Sequence, residues 1–344
     1  MDIAVLGAGS WGTTIAVHLA AKGERVRLWE VFKEAAEILR EKRENTRFLP
    51  SIRIPDGVLI SSSLEEVLDG AKAAVIVVPS HCMREVAGKV GRIGQKTVIL
   101  SAAKGIEEDS LKRMSEVIRE EVPGSRVCVL SGPSHAEEVS RNIPTTVVVS
   151  SEDESAAGDM QKLFMTDSLR VYTNPDMVGV ELGGALKNII AIASGISDGL
   201  GFGDNTKAAI LTRGLAEITR LGTAMGANPA TFAGLTGMGD LVTTCVSQYS
   251  RNRKLGELLA QEKSLDEALS IVGQVAEGVR TTKCAYKLAE VHKVDMPITE
   301  QVYAVLFQRK NARSAASGLM VRTARPELET EFLGNTGKYK TLAR

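Results

Sequence analysis

The first half of the sequence alternates short apolar runs with polar, helix-forming segments, and this alternation restricts the fold more than any other feature. Seven runs rich in Val, Ile and Leu occur before residue 175; they are Ile3–Leu6, Val26–Trp29, Ala73–Val78, Val98–Ser101, Val127–Ser131, Thr145–Val149 and Leu169–Tyr172. Because these runs are almost continuously apolar, we predict strands buried on both faces, as in a parallel sheet. Polar segments such as Glu34–Arg43 and Asp109–Glu120 lie between them. The pattern predicts a doubly wound α/β domain and leaves open a mixed orientation for the last two strands.

No strand pattern follows Pro175, and the rest of the sequence has helical periodicity. The segments with this pattern are Val178–Ser194, Thr206–Met225, Arg253–Glu262, Ser264–Ile271, Gly278–Val291 and Thr299–Gln308. A chain of 344 residues is long enough for two domains. We therefore predict an α/β domain at residues 1–180, an all-helical domain at residues 181–333 and a frayed tail at residues 334–344.

The charge balance and the cysteines exclude several classes of protein. The sequence has 42 basic and 42 acidic residues, so no basic excess indicates a nucleic-acid partner or an anionic membrane surface. The four cysteines form no C-x-x-C pair and the histidines lack zinc-ligand spacing, so we predict no metal site. Reduced thiols, and an N-terminus that opens directly into a strand, indicate a cytoplasmic protein without a secretory signal.

The glycines that follow the first apolar run predict nucleotide binding. Gly7, Gly9 and Gly12 form a G-x-G-x-x-G sequence between a predicted strand and the helical segment Thr13–Lys22. There the first glycine allows a tight turn, the second lets the backbone approach a pyrophosphate, and the third allows close helix–strand packing. The pyrophosphate then lies at the helix N-terminus, which favours anions. We predict a Rossmann-type dinucleotide site; the alternative is a glycine turn that binds nothing.

Glu30 ends the second predicted strand, close to the spacing of about 20 residues expected for a ribose-binding carboxylate. A carboxylate there accepts hydrogen bonds from the ribose 2′- and 3′-hydroxyls and repels a 2′-phosphate, which favours NAD over NADP. Lys33 lies one helical turn further along the chain. It either neutralises Glu30, or meets a phosphate, or is a solvated residue at a helix start.

Lys187 lies in a segment, Leu182–Ala193, that is apolar around nearly the full circumference of a helix. Such a helix is normally buried, and burial lowers the pKa of a lysine, which suits it to proton transfer near neutral pH. The alternative is that Lys187 extends its ammonium group to the surface from a buried helix. The segment is too short, and too interrupted by Lys, Asn and Gly, to predict a membrane span.

Further candidate residues follow the predicted strands or lie in the helical half. Lys104 follows a strand, and ligands bind beyond the carboxyl ends of parallel strands, so we predict that it points into the crevice near the nicotinamide rather than being a solvated turn residue. Asp240 either pairs with Lys187 and orients it or caps a helix. Ser250, Arg251 and Asn252 offer a hydroxyl, a guanidinium and an amide, which fit a phosphate monoester, although a surface arginine is common.

These motifs resemble bacterial glycerol-3-phosphate dehydrogenases of the soluble, NAD(P)-dependent type. The resemblance runs from about residue 3 to residue 325. It rests on Gly-Ala-Gly-Ser-Trp-Gly (7–12), Val-Pro-Ser (78–80), Ala-Lys-Gly (103–105), Ser-Gly-Pro-Ser (131–134), Gly-Gly-Ala-Leu-Lys-Asn (183–188), Ser-Asp-Gly-Leu-Gly-Phe-Gly-Asp-Asn (197–205), Leu-Thr-Arg-Gly-Leu-Ala-Glu (211–217), Gly-Asp-Leu (239–241), Ser-Arg-Asn-Arg (250–253) and Val-Ala-Glu-Gly (275–278).

The resemblance implies a Rossmann domain followed by a helical domain, in a homodimer that interconverts dihydroxyacetone phosphate and sn-glycerol 3-phosphate and so supplies phospholipid synthesis. By motif it implies that Lys187 is the catalytic acid/base, with Lys104 and Asp240 beside it. The substrate-binding positions that it implies are Lys104, Gly132, Ser134, Lys187, Asp240, Ser250, Arg251 and Asn252. The cofactor contacts that it implies are Ser10, Trp11, Lys104, Ala136, Arg251, Val275 and Glu277.

The sequence departs from this family after the second strand. Many members have His-Arg or a similar basic pair there, whereas this chain has Val31 and Phe32, and Glu30 replaces a small residue. The usual ligands of a 2′-phosphate are therefore absent, so NAD is favoured, while Lys33 leaves NADP use open. Two other functions are weighed: a related β-hydroxyacid dehydrogenase acting on carboxylates, and a nucleotide-binding module without turnover.

Overall fold

The structure is a computed structural model that describes residues 1–94, 97–324 and 326–327. The predicted tail at residues 334–344, and residues 328–333 of the predicted helical domain, lie outside the described residues. The strands are β1 (Asp2–Leu6), β2 (Arg25–Trp29), β3 (Glu44–Asn45), β4 (Leu49–Arg53), β5 (Leu59–Ser61), β6 (Ala73–Ile76), β7 (Val98–Ser101), β8 (Arg126–Ser131), β9 (Thr145–Ser150) and β10 (Leu169–Asn174).

The helices flank these strands and then replace them. They are α1 (Ser10–Ala21), α2 (Lys33–Lys42), α3 (Leu64–Leu68), α4 (Met83–Ile93), α5 (Met114–Glu121), α6 (Ala136–Val139), α7 (Glu154–Phe164), α8 (Met177–Gly199), α9 (Asp204–Ala224), α10 (Pro229–Phe232), α11 (Asp240–Val246), α12 (Arg251–Ala260), α13 (Leu265–Val272), α14 (Glu277–His292), α15 (Pro297–Phe307) and α16 (Ala312–Met320). A 3₁₀ turn spans Ser80–Cys82 and a π-helical turn spans Leu235–Gly239.

Eight of the strands form one sheet in the order β10-β9-β8-β7-β6-β1-β2-β5. All neighbours are parallel except β8 and β9, which are antiparallel. Alternate residues of β1 enter different cores: Ile3 and Val5 pack with α1 and α7, whereas Ala4 and Leu6 pack with α4 and α5. Burial on both faces explains why the strands are almost continuously apolar. The prediction of a doubly wound sheet with a mixed edge is confirmed.

Three small elements differ from the sequence prediction. The hairpin β3–β4 and the strand β5 were not predicted, because β3 and β5 are only two and three residues long and β4 carries several exposed residues. The helix expected from Asp109 begins only at Met114. Residues 106–113 instead form a turn that is closed by an Ile106–Arg113 bridge and contains Leu111 with a positive φ of 59°.

The helical half surrounds α8, which begins at Met177 and is 23 residues long. The boundary predicted after residue 180 therefore falls in its first turn. We expected the helical segment around Lys187 to be too short to cross a membrane, and this expectation is wrong. Its glycines and Asn188 do not end the helix, which continues for 23 residues. By length and composition α8 could span a bilayer, but 94% of its most apolar window is buried inside the protein. A core helix of a folded domain has the same properties.

Two glycines let α8 and α12 cross with their backbones in contact. A Cβ atom added at Gly195 would lie 1.9 Å from the Arg253 carbonyl oxygen, and one added at Gly256 would lie 2.1 Å from that of Ile192. Neither position has room for a side chain. This close crossing fixes the start of α12, with Arg251 and Asn252, against the middle of α8.

A buried ion pair joins the two halves of the chain. Glu181 on α8 accepts hydrogen bonds from Arg113 Nη1 at 2.6 Å, from the Ser115 backbone N–H at 2.8 Å and from Ser115 Oγ at 2.6 Å. Arg113 and Ser115 lie at the start of α5 in the α/β half. The pair therefore holds the N-terminal part of α8 against the sheet domain.

Candidate active site

The carboxyl ends of five parallel strands, β1, β2, β6, β7 and β8, lie at one edge of the sheet. α8 crosses this edge, and its glycines allow the approach. A Cβ atom added at Gly184 would lie 2.4 Å from Ser131 Oγ at the end of β8, and one added at Gly183 would lie 2.6 Å from the Thr236 carbonyl oxygen. Lys187 follows one helical turn later, so it faces the loops at the sheet edge.

The glycine turn after β1 has the geometry that its sequence predicts. Gly7 has a φ of +115°, and a Cβ atom added at Gly12 would lie 1.8 Å from the Gly7 carbonyl oxygen. At Gly9, by contrast, an added Cβ would meet no atom within 4 Å. The turn therefore has no free space at Gly7 and Gly12, where it packs against the protein, but it has free space at Gly9. α1 begins next to Gly9 without a side-chain cap. Such a helix start fits a pyrophosphate.

Lys187 is buried, with 6% of its surface exposed. Its Nζ atom lies 2.5 Å from Asp240 Oδ1 and 2.6 Å from Thr244 Oγ1. The ammonium group therefore does not extend to the protein surface, which excludes the alternative interpretation of this lysine.

Asp240 is shared by two lysines from different halves of the chain. Its second oxygen, Oδ2, lies 2.7 Å from Lys104 Nζ. Asp240 is the first residue of α11 and directly follows the π-helical turn, and its side chain does not cap that helix. Lys104 Nζ also donates to the Gly132 carbonyl oxygen at 2.8 Å and lies 3.4 Å from Ser134 Oγ. Lys104, Gly132, Ser134, Asp240 and Lys187 thus form one cluster.

The charges in this cluster determine its protonation. Burial lowers the pKa of Lys187 to about 8; the charge of Lys104 lowers it further, and Asp240 opposes the shift. Burial alone would raise the pKa of Asp240, but the two ammonium groups outweigh it and hold that pKa below its usual value. The cluster therefore pairs a permanent carboxylate with a lysine that can exchange a proton near neutral pH.

The predicted phosphate-binding residues lie at the start of α12. Ser250 Oγ accepts from the Arg253 backbone N–H at 3.2 Å and so caps the helix. Asn252 is buried, where it donates to Asn188 Oδ1 at 3.0 Å and accepts from the Gly278 N–H at 3.0 Å. Arg251 is exposed, and its guanidinium meets Gln274 Oε1 at 3.3 Å. Ser250 and Asn252 therefore fix the helix start that carries Arg251.

The predicted cofactor contacts line the same edge of the sheet. Glu277 accepts hydrogen bonds from the Ser80 backbone N–H at 2.9 Å and from Ser80 Oγ at 2.6 Å, which joins α14 to the loop after β6. Ser10 and Trp11 open α1. The Ala136 carbonyl oxygen accepts a hydrogen bond from Thr14 Oγ1 at 3.3 Å, and Val275 is exposed two residues before Glu277.

Glu30 directly follows β2 and Lys33 begins α2, and the two side chains do not contact each other. Glu30 Oε1 accepts a hydrogen bond from the Phe32 backbone N–H at 3.1 Å, at the start of α2. Burial raises the pKa of Glu30, opposed by this hydrogen bond and by the charge of Arg47. Lys33 is exposed at the first turn of α2. The contact between Glu30 and Lys33 that the sequence left open is absent among the described residues.

Comparison with known proteins identifies the family. The family model described as the NAD-dependent glycerol-3-phosphate dehydrogenase N-terminus matches residues 2–157, and the model of the C-terminus of the same family matches residues 176–317. The chain belongs to this family. An NAD-dependent dehydrogenase requires a dinucleotide site, which agrees with the glycine turn at this edge of the sheet.

Individual members of the family are similar over nearly the whole chain. The glycerol-3-phosphate dehydrogenase (NAD(P)+) of Pelotomaculum thermopropionicum is 55% identical over 331 residues, which cover 95% of each chain. That of Thermoanaerobacter sp. (strain X514) is 52% identical over 329 residues, covering 95% of this chain and 99% of the relative. The crystal structure of glycerol-3-phosphate dehydrogenase from Coxiella burnetii superposes with a TM-score of 0.90 at 40% identity, covering 93% of this chain and 98% of that one.

Four residues near the site were not predicted from the sequence. Thr244 contacts Lys187 Nζ. It lies four residues after Asp240, so the sequence spacing could have predicted that both side chains lie on one face of a helix. Asn188 accepts a hydrogen bond from Asn252; it is the last residue of the Gly-Gly-Ala-Leu-Lys-Asn motif (183–188), but no role was predicted for it. Asn45 reaches the glycine turn from the unpredicted hairpin β3–β4, so no sequence pattern indicated it. His135 lies beside the lysines, where burial lowers its pKa to about 4, which indicates a neutral ring.

Proposed function

We propose that this protein interconverts dihydroxyacetone phosphate and sn-glycerol 3-phosphate by hydride transfer with NAD(H) or NADP(H). The observation that carries the proposal is the Asp240 carboxylate held between Lys187 and Lys104 at the nucleotide edge of the sheet. A proton donor of suitable pKa next to a dinucleotide turn is what reduction of a carbonyl group requires. Membership of the glycerol-3-phosphate dehydrogenase family supports the choice of substrate.

The residues at the sheet edge fit a dinucleotide. Gly7, Gly9, Gly12 and the start of α1 would hold the pyrophosphate, and Glu30 would accept hydrogen bonds from the ribose hydroxyls. When bound, the nicotinamide supplies or accepts the hydride. The open space at Gly9, beside two glycines with no room for a Cβ atom, is the structural support for this assignment.

Lys187 moves the proton. In reduction, its ammonium group donates a proton to the carbonyl oxygen at C2, which becomes an alkoxide as the hydride adds; in oxidation, its neutral amine removes the hydroxyl proton. Asp240 orients the amine through the 2.5 Å contact. Lys104, paired with the other carboxylate oxygen, stabilises the negative charge that develops on the substrate oxygen.

Arg251 binds the substrate phosphate together with the start of α12. A guanidinium group can bind a phosphate through two parallel hydrogen bonds, and the N-terminus of a ten-residue helix adds positive potential. Ser250 and Asn252 support this site through the cap and the Asn188 contact. Holding the phosphate positions C2 for hydride transfer.

The biological setting follows the resemblance stated above. The α/β unit at residues 1–180 would bind the nucleotide, and the helical unit at residues 181–333 would supply the proton donor and the phosphate site. The protein would act in the cytoplasm as a homodimer and supply glycerol 3-phosphate for phospholipid synthesis.

The pH dependence of the reaction should follow Lys187. Because the pKa of Lys187 is lowered to about 8, kcat/KM for oxidation should rise through about pH 8 as the amine becomes neutral, and kcat/KM for reduction should fall over the same range. Initial rates in both directions check this. They are measured well above pH 6, because the second pKa of the substrate phosphate is about 6. An inflection that persists in Lys187→Ala, or one near the ordinary lysine pKa of about 10.4, contradicts the assignment.

The first test of the function compares initial rates of dihydroxyacetone phosphate reduction with NADH and with NADPH. We expect turnover with both and a higher kcat/KM with NADH, because Glu30 suits ribose hydroxyls and Val31 and Phe32 replace the basic pair. A panel of β-hydroxy acids serves as the control. Turnover of the acids with no rate on the phosphate would replace this proposal with the hydroxyacid dehydrogenase alternative, and cofactor binding without any turnover would indicate a binding module.

A further inference from the structure

The hairpin β3–β4 covers the outer end of the nucleotide turn. Buried Asn45 donates from Nδ2 to the Ala8 carbonyl oxygen at 2.8 Å and to Thr13 Oγ1 at 2.8 Å, and its Oδ1 accepts from the Phe48 backbone N–H at 3.2 Å. Ala8 lies inside the glycine turn and Thr13 in the first turn of α1. One side chain therefore joins the tip of the hairpin to the element that binds the pyrophosphate.

Arg47 lies at that tip, two residues after Asn45. Its guanidinium group is 4.9 Å from the centre of the Phe48 ring, and the residue is exposed. Among the described residues it makes no hydrogen bond or ion pair. The charge of Arg47 nevertheless lowers the pKa of Glu30, so the two side chains lie near each other. A cation that has no ionic partner among the described residues therefore lies close enough to Glu30 to lower the pKa of the carboxyl group that would hold the adenosine ribose.

Lys33 is less well placed for the same role. It is exposed at the start of α2, and it neither contacts Glu30 nor contributes to the pKa shift of that residue. An arginine also suits a phosphate better than a lysine, since its planar group donates two parallel hydrogen bonds. Arg47 is further oriented by the Phe48 ring, so less side-chain freedom is lost when it binds an anion.

We propose that Arg47 binds the 2′-phosphate of NADP(H), and that it allows a site built around Glu30 to accept both cofactors. This inference rests on the proposed function, because it concerns the cofactor of the same site. With NAD(H), Glu30 accepts hydrogen bonds from the ribose hydroxyls and Arg47 balances its charge. With NADP(H), Arg47 pairs with the phosphate and offsets its repulsion by Glu30.

The experiment measures binding of 2′,5′-ADP and of 5′-ADP to the full chain by calorimetric titration, for the unmodified protein and for Arg47→Gln. Loss of one charged hydrogen-bonded contact should weaken 2′,5′-ADP binding about 10-fold or more, while 5′-ADP binding changes less than about twofold. The ratio of kcat/KM with NADH to that with NADPH should rise by the same factor. Arg53→Gln is the matched control, because Arg53 is an exposed arginine of the same hairpin that pairs with Asp56 and does not contribute to the pKa shift of Glu30.

The inference is overturned if Arg47→Gln binds 2′,5′-ADP as the unmodified protein does, if Lys33→Gln causes the selective loss instead, or if both nucleotides weaken equally. It is also overturned if the ratio of the 2′,5′-ADP affinity to the 5′-ADP affinity is the same in the unmodified protein and in Arg47→Gln. The proposed function is tested separately by turnover of dihydroxyacetone phosphate with NADH. A protein that binds 2′,5′-ADP through Arg47 but does not reduce that substrate would retain this inference and lose the function.

Discussion

Replacing Lys187 by alanine should lower kcat by about 10²–10⁴-fold, the usual contribution of a general acid or base. The lysine is buried, its pKa is lowered to about 8, and the hydrogen bonds of its Nζ atom within the described part of the chain go to Asp240 and Thr244, which would orient it. Asp240 keeps Lys104 as its partner in the variant, so the buried carboxylate stays neutralised and the protein should fold. NADH binding, followed by fluorescence titration, should be unchanged.

Chemical rescue distinguishes a lost proton donor from a disturbed structure. Lys187→Ala leaves a cavity that a small alkylamine can enter, so added ethylamine should restore part of the rate, with a pH dependence that follows the amine. Lys187→Met fills most of this space with an apolar side chain and should be equally slow but should not respond to the amine. Near-full turnover in Lys187→Ala would show that another group transfers the proton.

Replacing Glu181 by glutamine should lower the free energy of unfolding by about 3 kcal/mol, at the lower end of the range for breaking a buried ion pair. The amide keeps the volume of the side chain but removes the charge that Arg113 and two groups of Ser115 require. Arg113 retains a contact with Glu116 at 3.1 Å, so its charge is not wholly unpaired. Denaturant titration at equilibrium, with the slope compared between proteins, measures the change.

An exposed pair provides the control for this measurement. Glu85 and Lys89 form an i,i+4 ion pair on the surface of α4, and Glu85→Gln should cost no more than about 0.5 kcal/mol. If Glu181→Gln costs as little as Glu85→Gln, the Glu181 carboxyl group is neutral in the folded protein and the contact with Arg113 is an ordinary hydrogen bond.

The sequence predicted those parts of the protein that have a periodic or local signal. The strand runs, the glycine turn and the burial of the helix around Lys187 are all visible in the order of apolar and polar residues. Contacts between distant segments have no such signal. Asn45 meets Ala8 and Thr13 only because a polar hairpin folds over the turn, and Arg47 is placed by that same hairpin.

The length of the helix around Lys187 was underestimated for a related reason. Glycine and asparagine are poor helix formers in isolation. In α8 the glycines are retained because the neighbouring backbones of α12 and the π-helical turn need the space that they leave, and Asn188 is held by a hydrogen bond from Asn252. Tertiary packing therefore reverses the local preference, and a sequence pattern alone does not contain that information.

Because Asp240 is shared between Lys104 and Lys187, the enzyme should not work when its two halves are separated. Lys104 belongs to the nucleotide half, whereas Lys187 and its carboxylate belong to the helical half. Each half expressed as a separate fragment would therefore lack part of the charge balance at the site, and neither would be catalytic alone. Activity should return only when the two fragments reassociate. A nucleotide half taken from another dehydrogenase could replace this one only if it carried a lysine at the position of Lys104, so the two halves are expected to be inherited as a pair.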